Sequence, residues 1–443
     1  MRARPTLHLP WHRGTTAHVC SLYPFSVQAS FGWQGAYVGL DVLAGGAEFC
    51  WDPFEAYRTG QVTNPNCWIL GEPGNGKSAL VKTLLWRMAA IWGAGDGGRF
   101  VAIADPKGEY VPIAERLGLD VVRLTPGGST RLNPLAEGPV TAEAPEKRTL
   151  RRAEMVAALT ATVLDRPLTQ VEDAALFAAV EHLTAGHDNS RRDQPDLTHV
   201  ARLLLDPPDE LLARIRCDRA DTGSELGALL HATDKLLSRS LRGMFDGPST
   251  VRVDWDGPGL VLDLSAVPID SDALPLVMVA AAGWLSQLVT TPGPQRVQVL
   301  DEAWALLANR HTAGYLQSCF KLGRTYGVAN ICIAHRPSDL GAQADDGTAT
   351  AKIASGLLAD SATKILLRQA PDQLEAAERA FGLTEPERQI VGQLGRGRAL
   401  WKVGGRTAVV QHVLGSRELE LIDTDSRMSG RPTQRVLEEE EAA

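Results

Sequence analysis

No two of the six cysteines in this 443-residue chain stand at a CxxC spacing, which speaks against a zinc site. Cys20, Cys50, Cys67, Cys217, Cys319 and Cys332 are scattered, and a chain this long has little need of disulfide staples. Reduced, buried thiols in a cytoplasmic protein are expected. A positive surplus is also missing: the net charge is -8, so nucleic acid would need a local basic patch. The segment Leu274–Val289 is uncharged, but Pro275, Ser286 and Gln287 interrupt it and it falls short of ~20 apolar residues. A buried helix is expected there, not a membrane span. The N-terminus lacks a basic start followed by an apolar stretch, so no secretion signal is expected. No internal repeat is visible.

Hydrophobic residues make up 44% and charged residues 22%, enough for one large domain with an insertion, or for two domains. Apolar runs of strand length recur: Cys67–Leu70, Phe100–Ala104, Asp120–Leu124, Leu260–Leu264, Val297–Leu300, Asn330–Ala334 and Thr363–Leu367. Such runs fit strands buried on both faces, as in a parallel sheet covered by helices. Ser78–Ile91 places Leu80, Leu84, Leu85, Met88 and Ile91 on one helical stripe, so the pattern is α/β. Between 141 and 245 the strand signal disappears and amphipathic helices are expected, an all-helical insertion. Gly404-Gly405 between Ala399–Val403 and Thr407–Val413 signals a C-terminal β-hairpin. Residues 1–62 read as a short β-rich segment capping the main domain, and 423–443 as a flexible tail ending in Glu438–Glu441.

The chemistry concentrates in two places. Gly71–Ser78 reads GEPGNGKS, a complete GxxxxGK[ST] loop. Its glycines Gly71, Gly74 and Gly76 let backbone N–H groups curl inward at phosphates, so Glu72, Pro73, Asn75 and Ala79 count with them as nucleotide-binding residues. Lys77 is expected to reach the β- and γ-phosphates of ATP, and the Ser78 hydroxyl to hold Mg²⁺. A strand before the loop and a helix after it would set the phosphates at a helix N-terminus. Val297–Glu302, VQVLDE, is an apolar strand ending in two acids. Asp301 is expected to hold Mg²⁺, and Glu302 to orient or deprotonate the attacking water. An ATPase follows from the pair of motifs. Asp105-Pro106-Lys107-Gly108-Glu109-Tyr110 either brings Asp105 and Glu109 to the carboxyl end of the sheet, where ligands bind, or is an exposed Pro-Gly turn.

GEPGNGKS and DPKGEY, with MFDGP (Met244–Pro248), LDEAWALL (Leu300–Leu307), GRTYG (Gly323–Gly327) and AHRPSDL (Ala334–Leu340), resemble the assembly ATPases of type IV secretion and conjugative transfer. These belong to the HerA–FtsK superfamily of RecA-like P-loop ATPases. The resemblance runs from about Thr63 to His412. It implies a RecA-like ATPase domain over 63–140 and 246–422, and a hexameric motor with nucleotide between subunits. The implied partners are secretion-channel proteins at the inner membrane, so the location would be cytoplasmic or peripheral at its inner face. It implies that Arg324 acts on a neighbour's nucleotide and that His335 ends the next strand as a polar sensor. Arg396 and Arg398 compete with Arg324 for the first role. A DNA-pumping translocase of coupling-protein or HerA type is the alternative, as is a nucleotide-gated component without turnover. DNA would meet the cluster Lys147, Arg148, Arg151 and Arg152, which could equally be a solvated helix end. The family usually carries a long N-terminal domain where residues 1–62 stand here, so docking to a channel would pass to a separate chain.

Overall fold

The computed structural model describes residues 31–93, 98–136, 144–185, 194–238, 241–251, 254, 256–269, 271, 273–290, 294–307, 310–337 and 349–422. The acidic tail read over 423–443 and the last three residues of AHRPSDL lie outside them. Eleven strands among the described residues form one sheet. They are β1 (Ala36–Asp41), β2 (Ala47–Trp51), β3 (Cys67–Leu70), β4 (Phe100–Asp105), β5 (Asp120–Arg123) and β6 (Gly259–Asp263). The rest are β7 (Arg296–Leu300), β8 (Val328–Ala334), β9 (Thr363–Leu366), β10 (Arg398–Val403) and β11 (Arg406–His412). Their order is β2-β1-β11-β10-β9-β3-β8-β7-β4-β6-β5. From β9 to β5 every pairing is parallel, and from β9 to β2 every pairing is antiparallel.

Helices cover both faces, which is why the central parallel strands are buried along their length and mostly apolar. Trp68, Leu70, Ala102, Ala104, Leu260, Leu262 and Leu300 belong to one core. Their neighbours in sequence, Cys67, Ile69, Val101, Ile103, Val261, Val297 and Val299, belong to the other. This period-2 alternation is the pleat itself. On the second face lie α1 (Pro53–Arg58), α2 (Lys77–Trp92) and α3 (Val111–Leu117). Leu80, Val81, Leu84, Leu85 and Met88 of α2 are buried there, and Leu85→Ala would cost ~2–5 kcal/mol.

Between β5 and β6 the described residues hold helices and no strand: α4 (Pro145–Leu164), α5 (Gln170–Thr184), α6 (Leu197–Leu205), α7 (Asp209–Ile215) and α8 (Thr222–Leu237). Thr169 opens α5 with a capping box to Glu172, and Asp196 opens α6 with another to His199. Helix α4 packs on α9 (Ala273–Thr290) and α10 (Arg310–Tyr326), so the helical segment sits on the first face of the sheet. The uncharged α9 is a core helix, and no described helix is long and apolar enough to cross a membrane. Arg152 of the basic cluster is buried with its Nε donating to Leu135 O at 2.7 Å, which removes it from any outward basic face.

The remaining helices are α11 (Ala349–Asp360), α12 (Leu374–Phe381), α13 (Glu385–Gln393) and α14 (Ser416–Ile422). The hairpin β10–β11 turns at Gly404-Gly405 in register Val403↔Arg406. Beyond it β1 pairs with β11 through Gly39↔His412, so the N-terminal strands extend the sheet edge instead of lying across it. Phe49 and Trp51 of β2 meet Trp401 of β10 at ring centroid distances of 5.0 and 5.5 Å.

Candidate active site

The carboxyl ends of β3, β8, β7 and β4 are neighbours in that order, and each carries one piece of the site. The loop after β3 turns through Gly74 and Gly76, at φ 79° and 101°. A side chain at φ near +100° is strained in any L-residue other than glycine, which is why the motif needs glycine at 76. Gly76 is the N-cap of α2 and offers no side-chain cap, so the first N–H groups of the helix remain directed at the loop. Lys77 is 5% exposed, and its Nζ donates to Gly71 O and to Glu72 O, the latter at 3.1 Å. Burial lowers its pKa to about 8, against the opposing pull of Asp301, while the charge of Lys107 pushes it the same way as burial. Ser78 is half-buried in the first turn of α2.

Asp301 and Glu302 follow β7. Asp301 is 3% exposed, its Oδ1 accepts from Glu302 N at 2.8 Å, and Oδ2 has no hydrogen-bond partner. Burial, helped by the Glu302 charge, raises its carboxyl to about 7. A buried carboxylate oxygen without a partner at hydrogen-bond distance is a cost that a cation would offset, so Asp301, beside the buried Tyr110 hydroxyl, fits a divalent metal. Glu302 is 1% exposed and adopts φ 54°, a left-handed conformation for a residue with a long side chain. Such local strain concentrates at functional sites.

Both oxygens of Glu302 are held. Oε1 takes a hydrogen bond from His335 Nε2 at 2.7 Å and an ion pair from Lys107, and Oε2 takes one from the Trp304 indole N–H. Burial alone would raise the Glu302 carboxyl, but the His335 and Lys107 contacts outweigh it and lower it to about 2. His335 ends β8, between the P-loop strand and the acid-bearing strand, and its Nδ1 is buried without a partner.

The structure thus brings Lys77, Asp301, Glu302 and His335 into one cluster. It does not bring Arg324 there. Arg324 is exposed in the last turn of α10, at the opposite end of β8 from His335, ~20 Å away for a seven-residue strand. Arg396 lies on the other flank: Gly397 N donates to Asn75 O at 3.4 Å, placing this turn beside the chain's own P-loop. Arg398 is engaged with Gln411 Oε1 at 2.6 Å.

In the DPKGEY loop, Asp105 closes β4 at the carboxyl end of the sheet. Asp105 is fully buried and holds the loop shape, accepting from Lys107 N at 3.2 Å and Tyr110 N at 2.7 Å. Burial raises its carboxyl to about 6. Glu109 pairs with Lys82 of α2 at 3.8 Å. Lys107, not singled out, is the residue that enters the site. Trp304 was missed as well, and its place two residues after Glu302 was the available signal.

Residues 62–220 match the family described as Helicase HerA, central domain. Among solved structures, VirB4 of Thermoanaerobacter pseudethanolicus aligns at TM-score 0.71 and 22% identity, over 88% of this chain and 100% of that one. The plasmid coupling protein TrwB with a non-hydrolysable ATP analogue aligns at TM-score 0.54 and 16% identity, over 92% and 96% of the two chains. TrwB in complex with ADP and Mg²⁺ aligns at TM-score 0.50 and 16% identity, over 79% and 85%. No curated protein matches. The chain has the RecA-like P-loop fold of these proteins, and the matched stretch 62–220, which carries GEPGNGKS and DPKGEY, resembles the HerA family.

Proposed function

We propose that the protein is a Mg²⁺-dependent ATP hydrolase whose turnover drives a type IV secretion or conjugative-transfer system. The observation that carries this reading is the intact cluster of P-loop lysine, orphaned Asp301 oxygen and strained, triply held Glu302. A component without turnover would have no use for a carboxylate oriented so tightly. The names of the structural neighbours, VirB4 and a plasmid coupling protein, support the secretion and conjugation setting.

The backbone N–H groups of 74–79 and the Lys77 ammonium would hold the triphosphate at the N-terminus of α2. Asp301 and Ser78 would hold Mg²⁺, which neutralises charge on the β- and γ-phosphates when bound. Glu302 orients a water whose oxygen bonds to the γ-phosphorus as the bond to the β–γ bridging oxygen breaks. The water's proton passes to the carboxylate. The active form is a ring, hexameric by analogy with the superfamily, with each nucleotide between two subunits. Arg324, exposed and remote from its own P-loop, serves the neighbour's nucleotide. Arg396, whose neighbour Gly397 donates to Asn75 of the P-loop, is the competing candidate for that role. Its partners would be the secretion-channel proteins at the inner face of the membrane, reached directly or through a separate docking chain.

ATP turnover and oligomer size, followed together against protein concentration, test the reading. Mg²⁺-dependent hydrolysis that rises with assembly and vanishes in Lys77→Ala is expected. A fully active monomer at every concentration would contradict the ring, and no Mg²⁺-dependent turnover at any assembly state would contradict the enzyme.

A further inference from the structure

Two ammonium groups, not one, stand at the rim of the P-loop. Lys107 Nζ lies 3.0 Å from His335 Nε2. Strand β8 pairs directly with β3 in register Leu70↔Ala334, so His335 and Gly71, the next residues, are one strand spacing apart, ~4.8 Å. The Lys107 head group is therefore within a side chain's swing of the loop that grips phosphates. With His335 Nε2–H donating to Glu302 Oε1, the two donors are packed around a single acceptor and make no bond to each other.

The two ends of Lys107 are held differently. Its backbone is pinned through Asp105 Oδ1, and the loop is tied to α2 by the Glu109–Lys82 pair. Its side chain is 27% exposed, whereas its partner Glu302 is 2% exposed. A flexible four-carbon stem carrying a point charge on a fixed base can exchange one anion for another. Glu302 does not depend on it, because His335 and Trp304 hold both carboxylate oxygens. Departure of Lys107 would free a lone pair on Oε1 for water and leave the carboxylate aimed.

We propose that Lys107 is a second phosphate-binding ammonium, exchanged between Glu302, where it sits here, and the terminal phosphate of ATP. A doubly charged γ-phosphate competes well against a singly charged carboxylate for the same cation. The exchange couples recognition to chemistry: Glu302 is released only when the γ-phosphate is in place, and ADP, lacking it, leaves the clamp shut. This inference rests on the ATPase reading above and deepens it. Its weight falls on the lysine of DPKGEY, not on that motif's two acids.

Binding of Mg²⁺–ADP and of a non-hydrolysable Mg²⁺–ATP analogue to the full chain, by titration calorimetry, tests it. Lys107→Met should weaken the ATP analogue about tenfold or more, the scale of one charge-assisted bond, and leave ADP within about twofold. Lys107→Arg, which keeps the charge, should retain most of the preference. Glu302→Gln should tighten the ATP analogue relative to ADP, because the competing anion is gone. If Lys107→Met unfolds, Lys107→Gln, which keeps donors without charge, should show the same selective loss. An unchanged ratio of the two affinities in whichever neutral variant folds would overturn the proposal and leave Lys107 as a buttress for Glu302. Wild-type protein that binds neither nucleotide would overturn the reading of the site itself, a distinguishable result.

Discussion

Glu302 and His335 meet at 2.7 Å across two adjacent strand ends, Oε1 accepting from Nε2. Because β8 lies between β3 and β7, this bond ties the Glu302 carboxylate to the strand beside the P-loop. His335→Ala should lower kcat about tenfold to a hundredfold with little change in KM for ATP, the scale of one hydrogen bond to a charged group. His335→Gln, which keeps an N–H donor, should recover part of that loss. Steady-state hydrolysis by the two variants decides the point, and an unaffected kcat in His335→Ala would mean the contact positions nothing.

The trans role proposed for Arg324 is tested by mixing variants. Arg324→Ala should bind ATP normally and fail to hydrolyse it, and Glu302→Gln should bind ATP at least as tightly as the wild type and also fail to hydrolyse it. Mixed rings would contain some interfaces with an intact Glu302 from one subunit and an intact Arg324 from the next. Activity should return on mixing, since such arginines contribute about 10³-fold or more in kcat. Mixtures that co-assemble by sizing yet stay inactive would shift the role to Arg396 or Arg398.

His412, at the end of β11, predicts an acid limb in stability. Burial, with the Arg87 charge adding and Glu418 opposing, lowers its pKa from 6.5 to about 4. The folded state therefore binds this proton less readily than the unfolded chain. The stability linked to His412 is whole above pH 6.5, is lost progressively as pH falls from 6.5, and the loss is complete near pH 4. At 1.36 kcal/mol per unit it amounts to at most about 3 kcal/mol. Urea midpoints of wild type should fall between pH 6.5 and 4 more steeply than those of His412→Gln. Parallel curves would contradict the assignment.

The P-loop was legible because everything it needs is local: a buried strand, glycines at fixed offsets and an amphipathic helix. The two-sided burial of the parallel strands was legible for a similar reason, since it shows as unbroken apolar runs. Lys107 was not. Its role arises where the loop after β4 meets the ends of β7 and β8, a convergence of segments far apart in sequence. A charged residue in a Pro-Gly turn carries no local mark of such a meeting. Arg152 erred the other way: it reads as one of four clustered cations, but its place on α4 turns it inward to the carbonyl of Leu135.

The function proposed here depends on Glu302 directing water at the γ-phosphate of a nucleotide held by the P-loop. Measuring ATP binding and single-turnover hydrolysis side by side in wild type and Glu302→Gln tests it most directly. The account predicts undiminished binding with hydrolysis slowed by about 10²–10⁴-fold, because the phosphate contacts of Lys77 survive and only the oriented carboxylate is lost. Hydrolysis by Glu302→Gln at the wild-type rate would contradict it.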